Sequence, residues 1–213
     1  MADLLNKDQP EHMQYMQMRE MAQENQEKWL KDSLKYVVDG YVTGLPKKVQ
    51  DKLIATAFKA WTDVAGIEIC QCPKKDTKNA DILVGVGRGK KHNFDGQGGT
   101  LAWAYMPKGK NRQLRMRFDL EEIWVQHQYE RGIWMLPVAA HEVGHLLGLE
   151  HSKVKEALMA PYYNPFISTP QLKDDIMQIQ KLYGKPKNAA AIQKAAARTV
   201  TIKPGEELLI VCE

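Results

Sequence analysis

Cysteine is scarce in this chain of 213 residues: Cys70, Cys72 and Cys212 are all it holds. An odd, sparse set does not make a disulfide framework, and Cys70 and Cys72 are awkwardly placed to pair, so all three read as bland. No apolar run approaches about 18 residues, so no helix is expected to span a membrane. Met1 to Pro10 lacks the basic-then-apolar pattern of a leader peptide. The compartment therefore stays open among the cytosol, export after removal of a leader, and another export route. The net charge of +4 comes without a long basic run, which argues against nucleic acid as a partner. Glycines crowd positions 85 to 99, but no helix opening with Lys-Ser or Lys-Thr follows, so a phosphate cradle is excluded. No internal repeat is visible. What remains is 44% apolar and 26% charged, the texture of one soluble domain with a sizeable core and tails.

Half of the six histidines fall within His141-Glu142-Val143-Gly144-His145-Leu146-Leu147-Gly148-Leu149-Glu150-His151. On a helix, His141 and His145 lie one turn apart on the same face. Two imidazoles so spaced can grip one zinc ion, and Glu142 beside them can reach a zinc-bound water. Gly148 allows a sharp exit from the helix, which brings His151 round as a third nitrogen ligand. Three protein ligands leave a coordination place open, as in a catalytic zinc site; a structural site closes with four. The short HExxH pattern recurs by chance on amphipathic helices, whereas the long HExxHxxGxxH form is far more restrictive. Met159 follows in Ala157-Leu158-Met159-Ala160-Pro161, the tight methionine turn that marks a metzincin. The bland reading is a buried helix whose histidines are satisfied by hydrogen bonds.

Along the chain, residues 1–28 are polar and rich in Gln, Glu and Met. They read either as a solvated helix or as a prosegment covering a cleft. Leu34, Tyr36 and Val38 alternate with polar residues, as on a strand. Leu45-Pro46 opens a helix from Lys47 to Val64, closed by Gly66. Strands are expected at Ile67–Ile69, Ile82–Val86, Thr100–Met106 and Leu114–Phe118, and a loop at 72–80. Residues 119–133 read as loop with a short turn. Ile133–Leu147 carries the zinc helix, with Pro137 in its first turn. Thr169-Pro170 starts a last helix, Gln171–Tyr183, closed by Gly184. In the tail, 185–213, an alanine-rich helix and two short strands are expected. This order suggests an α+β layer.

From Trp29 to Gly184 the chain resembles the catalytic domain of matrix metalloproteinases, the matrixins. The resemblance runs through Leu34-Lys35-Tyr36, Ala57-Phe58-Lys59-Ala60-Trp61, Ala80-Asp81-Ile82, Phe94-Asp95-Gly96 and Gly99-Thr100-Leu101-Ala102. It continues through Phe118-Asp119 with Glu122 and Trp124, Val138-Ala139-Ala140, Asp174-Asp175-Ile176 and Leu182-Tyr183-Gly184. It implies a zincin-like metzincin fold: a twisted, mostly parallel five-stranded sheet, three helices, and a zinc helix followed by the methionine turn. It implies a catalytic domain at 29–184 flanked by the segments 1–28 and 185–213. The activity implied is that of a zinc endopeptidase on extended protein substrates, with Glu142 as base and Met159 as structural support. Secretion is what the resemblance suggests. A monomer is expected.

By the same resemblance, Thr100, Leu101 and Ala102 begin an edge strand that pairs with substrate backbone. Pro161, Tyr162 and Tyr163 would wall the pocket for the side chain following the scissile bond. Pro137 lies where the family varies that pocket's depth, and its short ring implies a roomy apolar pocket for Leu, Met or an aromatic. One structural calcium would be held by Asp95, Asp119 and Glu122 with carbonyls of Gly96, Gly98 and Thr100. The alternative is a carboxylate cluster paired with Arg115, Arg117 or lysines.

The sequence also departs from the family. The second, structural zinc uses three histidines and an aspartate; here only His92 remains, Trp103 and Arg117 stand at two histidine positions, and that zinc is expected to be missing. The basic loop Lys108–Arg115 lacks the aspartate of a further calcium site. No cysteine latency motif occurs in 1–28, which leaves Asp3, Asp8, Glu11, His12 or Cys212 as candidate inhibitory ligands, each also readable as a surface residue. An inactive peptide-binding module on the same fold, or an interaction protein using its tail, are the alternative functions.

Overall fold

A computed structural model describes residues 28–108, 113–171 and 174–186. The expectations for the N-terminal segment and for the helix and strands of the tail lie outside the described residues, as do the latency candidates within them.

Five strands form one sheet in the order β2-β1-β3-β5-β4. They are β1 (Ser33–Val38), β2 (Glu68–Gln71), β3 (Ile82–Gly87), β4 (Ala102–Ala104) and β5 (Leu114–Asp119). Every pairing is parallel except β4 with β5, so the sheet is mostly parallel with one antiparallel edge. Alternation sorts its side chains. Leu34, Tyr36, Val38, Ile82, Val84, Met116 and Phe118 face the main core, while Val37 and Leu83 join Ala80 in a small cluster on the other face.

Among the described residues there are three α-helices: α1 (Lys47–Thr62), α2 (Met135–Leu146) and α3 (Asp175–Tyr183). Helix α1 buries Ile54, Ala57, Phe58 and Trp61 along one stripe, and Phe58 stacks on Tyr36 at 4.1 Å between ring centroids. Helix α2 is buried on nearly all sides, as its composition of Val, Ala, Leu and Met demands. Pro137 sits in its first turn, where an N–H would lack a helical partner in any case.

Several boundaries move. The last helix starts at Asp175, four residues later than the Thr169-Pro170 signal indicates. Asp174 holds φ −137°, outside the helical region, and the Asp175 carboxylate turns back to accept the Gln171 N–H. The expected strand Thr100–Met106 shrinks to Ala102–Ala104. Backbone bonds from Asp119 N to Leu101 O and from Tyr105 N to Arg115 O extend its pairing by a residue at each end. Ile133–Trp134 is not the start of the zinc helix but a short strand, β7, paired with β6 (Trp124–Val125) within the expected loop. The loop at 72–80 contains a 3-10 segment, Lys74–Asn79. Cys72 is free and half-buried.

Candidate metal centre

Helix α2 presents His141 and His145 one turn apart and both fully buried, and the chain then turns at Gly148, whose φ of 98° favours a residue without a side chain. The turn brings His151 alongside. The ring centroids of the three histidines are 4.7, 5.3 and 4.9 Å apart pairwise. Each offers one ligand nitrogen, all within 4.8 Å of one another. Glu142 is fully buried next to His141.

The hydrogen bonds show what these rings can hold. His141 Nδ1 meets the Leu158 carbonyl at 2.8 Å, and His145 Nδ1 meets the Leu149 carbonyl at 2.7 Å. A carbonyl only accepts, so each Nδ1 carries the proton and each Nε2 a lone pair. Those two Nε2 atoms face each other at 3.0 Å. A hydrogen bond between them would leave one bare Nδ1 against a carbonyl oxygen. A cation between two lone pairs satisfies both, and backbone carbonyls orienting the outer nitrogens are the usual support for metal-binding imidazoles. Burial lowers the pKa of His141 to about 3 and that of His145 well below the usual imidazole range. His151 is lowered too, again by burial. The rings are therefore neutral at physiological pH, the state that binds a metal. The residues fit a zinc ion.

Met159 packs against Gly144 of α2. A Cβ on Gly144 would overlap the Met159 sulfur and come within 3.0 Å of Trp61 Cζ2, so α2, α1 and the methionine turn meet in a space that only glycine leaves open. The turn is held by Asp175, whose carboxylate accepts N–H groups from Leu158 at 2.7 Å and Met159 at 3.1 Å. Sequence spacing alone did not single out this aspartate for that role; its signal lies in a buried acid facing a turn.

Strand β4 is an edge strand, and Thr100, Leu101 and Ala102 are buried. Tyr163 is buried, and its hydroxyl accepts the Trp134 N–H at 3.0 Å. Tyr162 is exposed and Pro161 half-buried. Pro137 is buried in α2.

The acidic residues also gather. Glu122 accepts the Gly98 N–H at 2.7 Å and Asp95 the Thr100 N–H at 2.7 Å. Asp119 accepts the Glu121 N–H through Oδ1, while its buried Oδ2 has no hydrogen-bond partner among the described residues. The pKa values of Asp119 and Glu122 are raised, first by burial and then by neighbouring carboxylates, Asp95 among them. Gly96 and Gly98 shape the loop with φ of 94° and 87°.

At the positions expected to lack a second zinc, Arg117 forms an ion pair with Asp39 at 3.2 Å and donates to the Leu83 carbonyl. The Trp103 indole donates to the His92 carbonyl at 2.7 Å. Of the described residues, His141, His145 and His151 form the cluster whose ligand atoms converge as a metal requires.

Residues 28–184 match the family model for matrixin. The hatching enzyme of Paracentrotus lividus is 41% identical over 135 residues, 62% of this chain and 22% of its own length. Karilysin of Tannerella forsythia is 37% identical over 164 residues, 75% of this chain and 34% of its own. Matrilysin of Rattus norvegicus is 36% identical over 166 residues, 76% of this chain and 60% of its own. The chain thus spans less than two thirds of each of these relatives. The match covers both the five-stranded sheet and the converging imidazoles, and the chain belongs to the matrixin family.

Proposed function

We propose that this protein is a zinc-dependent endopeptidase acting on extended protein substrates. The observation that carries the reading is the pair of Nε2 lone pairs facing each other at 3.0 Å, with His151 and the buried Glu142 alongside. His141, His145 and His151 would hold the zinc. Zinc so held supplies a Lewis acid that brings the pKa of water towards ~7 and polarises a carbonyl. Glu142 takes a proton from water and passes it to the leaving amine nitrogen. Met159 supports the rings by packing and has no part in proton transfer.

Substrate recognition follows from the edge strand. Strand β4 has a neighbour on one side only, so an extended peptide can add to it through backbone hydrogen bonds, beginning at Thr100, Leu101 and Ala102. Pro161, Tyr162 and Tyr163 would wall the pocket beyond the scissile bond, and the short ring of Pro137 on α2 would leave that pocket roomy. Asp95, Asp119 and Glu122, with the carbonyls of Gly96, Gly98 and Thr100, would hold calcium. The buried, unpartnered Asp119 Oδ2 and the raised carboxyl pKa values support that assignment.

The deciding experiment is digestion of casein by the wild type and by Glu142→Gln, each with measured zinc content and with or without chelator. A zinc-loaded wild type that cleaves, loses activity to chelator and is silenced by Glu142→Gln at unchanged zinc content supports the reading. A zinc-loaded wild type that binds peptides but cleaves none favours an inactive binding module.

A further inference from the structure

The end of α2 leaves carbonyl groups that no helical turn can satisfy. Two are taken up locally. Leu149 N donates to Gly144 O at 3.0 Å and Gly148 N to His145 O at 2.9 Å, the paired bonds of a glycine-closed helix end. The next two carbonyls, those of Leu146 and Leu147, belong to fully buried residues at the helix end.

Both find donors on aromatic side chains from distant parts of the chain. Trp29 Nε1 donates to Leu146 O at 2.7 Å, and the Tyr183 hydroxyl donates to Leu147 O at 2.8 Å. The two donors are also joined: the Trp29 backbone N–H donates to the Tyr183 hydroxyl at 3.1 Å. Trp29 precedes β1, and Tyr183 is the last residue of α3. Leu149 O, two residues further along, accepts His145 Nδ1. Every backbone carbonyl named between Gly144 and Leu149 thus has a fixed donor, and His151 follows two residues later.

We infer that Trp29 and Tyr183 are positioning residues for the metal centre: they clamp the turn that delivers His151 to His141 and His145. The inference rests on the proposed zinc site. Neither side chain bonds an imidazole; each acts through the backbone of Leu146 or Leu147. Without these donors the two carbonyls would reorient towards water, and the turn at Gly148 would rotate with them. His141 and His145, anchored on the helix, would stay in place while the third ligand drifted.

The test uses the full chain and three variants. Tyr183→Phe removes one hydroxyl, and Trp29→Phe removes one indole N–H. Tyr36→Phe is the control, because the Tyr36 hydroxyl donates to Gln71 between β1 and β2, at the opposite side of the sheet from β4. Zinc affinity is read by chelator competition, and ligand geometry by the visible absorption of the cobalt-substituted protein. Both are measured at a temperature where circular dichroism shows each variant folded. Supporting metal ligands from outside the coordination sphere typically contributes 10–100-fold in affinity, so a loss of about 10-fold is expected for Tyr183→Phe and for Trp29→Phe. Their cobalt spectra should shift, while Tyr36→Phe binds as the wild type does. Unchanged affinity and spectra in both clamp variants would overturn the inference, and so would an equal loss in Tyr36→Phe. A wild type that holds neither zinc nor cobalt would remove the centre itself, and the proposed function with it.

Discussion

Asp175 is the buried side chain whose removal should be felt in two ways at once. Its Oδ2 accepts N–H groups from Leu158 and Gln171, and its Oδ1 accepts one from Met159. Leu158 and Met159 are buried, so on Asp175→Ala their N–H groups have no water to turn to. Each orphaned buried donor costs about 1–3 kcal/mol. Against this, the carboxylate is itself 1% exposed with its pKa raised chiefly by burial, so removing it relieves a desolvation cost. The net loss for Asp175→Ala is then about 2–4 kcal/mol, which lowers the melting temperature by roughly 5–15 °C in a chain of this size. Asp175→Asn keeps one acceptor oxygen and should lose about half as much. The second effect follows from Leu158, whose N–H goes to Asp175 while its carbonyl accepts His141 Nδ1. Zinc affinity should fall along with stability. Thermal melts by circular dichroism and chelator competition measure the two effects. Melting within 1–2 °C of the parent for Asp175→Ala, or a zinc affinity untouched by it, would refute this account.

Three other perturbations probe different parts of the structure. Gly144→Ala gains about 1 kcal/mol of helix propensity but forces a methyl group into Met159 and Trp61, so a net destabilisation of about 1–2 kcal/mol is expected in urea melts; a stabilised variant would count against the packing described. Asp119 and Glu122 have folded pKa values raised above their ordinary 3.8 and 4.5, so the folded chain holds these protons more tightly than the unfolded one. Their contribution without calcium is present below those values and is lost as pH rises through the folded pKa values. Calcium should therefore raise the melting temperature at pH 7 and leave it unchanged at pH 3, and an equal effect at both would dismiss a carboxylate site. In peptides differing only after the scissile bond, Leu, Met or an aromatic should be cleaved fastest, as a pocket bounded by Pro137 predicts; preference for Gly or Asp would contradict it.

The convergence of the three histidines was legible because spacing on a helix is geometry. His141 and His145 share a face by their separation, and Gly148 announces the turn. The strands β1, β3 and β5 were legible because they alternate or run apolar over six residues each, whereas their parallel pairing came only from the resemblance to matrixins. Two-residue strands such as Trp124–Val125 carry no period to detect. The start of α3 was misplaced because a local capping signal at Thr169-Pro170 lost to a tertiary one, the Asp175 carboxylate binding the methionine turn. The roles of Trp29 and Tyr183 were invisible for a related reason. Apolar patterning marks a buried aromatic residue but does not say which carbonyl its N–H or O–H will meet. Arg117 could be read as a missing histidine, yet its partner Asp39 sits 78 residues away and only folding introduces them.

The clamp joins residues 154 positions apart in the chain. A contact of that span cannot close until nearly the whole domain has been synthesised. Helix α2, its histidines and the methionine turn can all be made earlier, but the bend leading to His151 stays unfastened until α3 arrives. A growing chain would therefore hold its third histidine loosely until α3 docks.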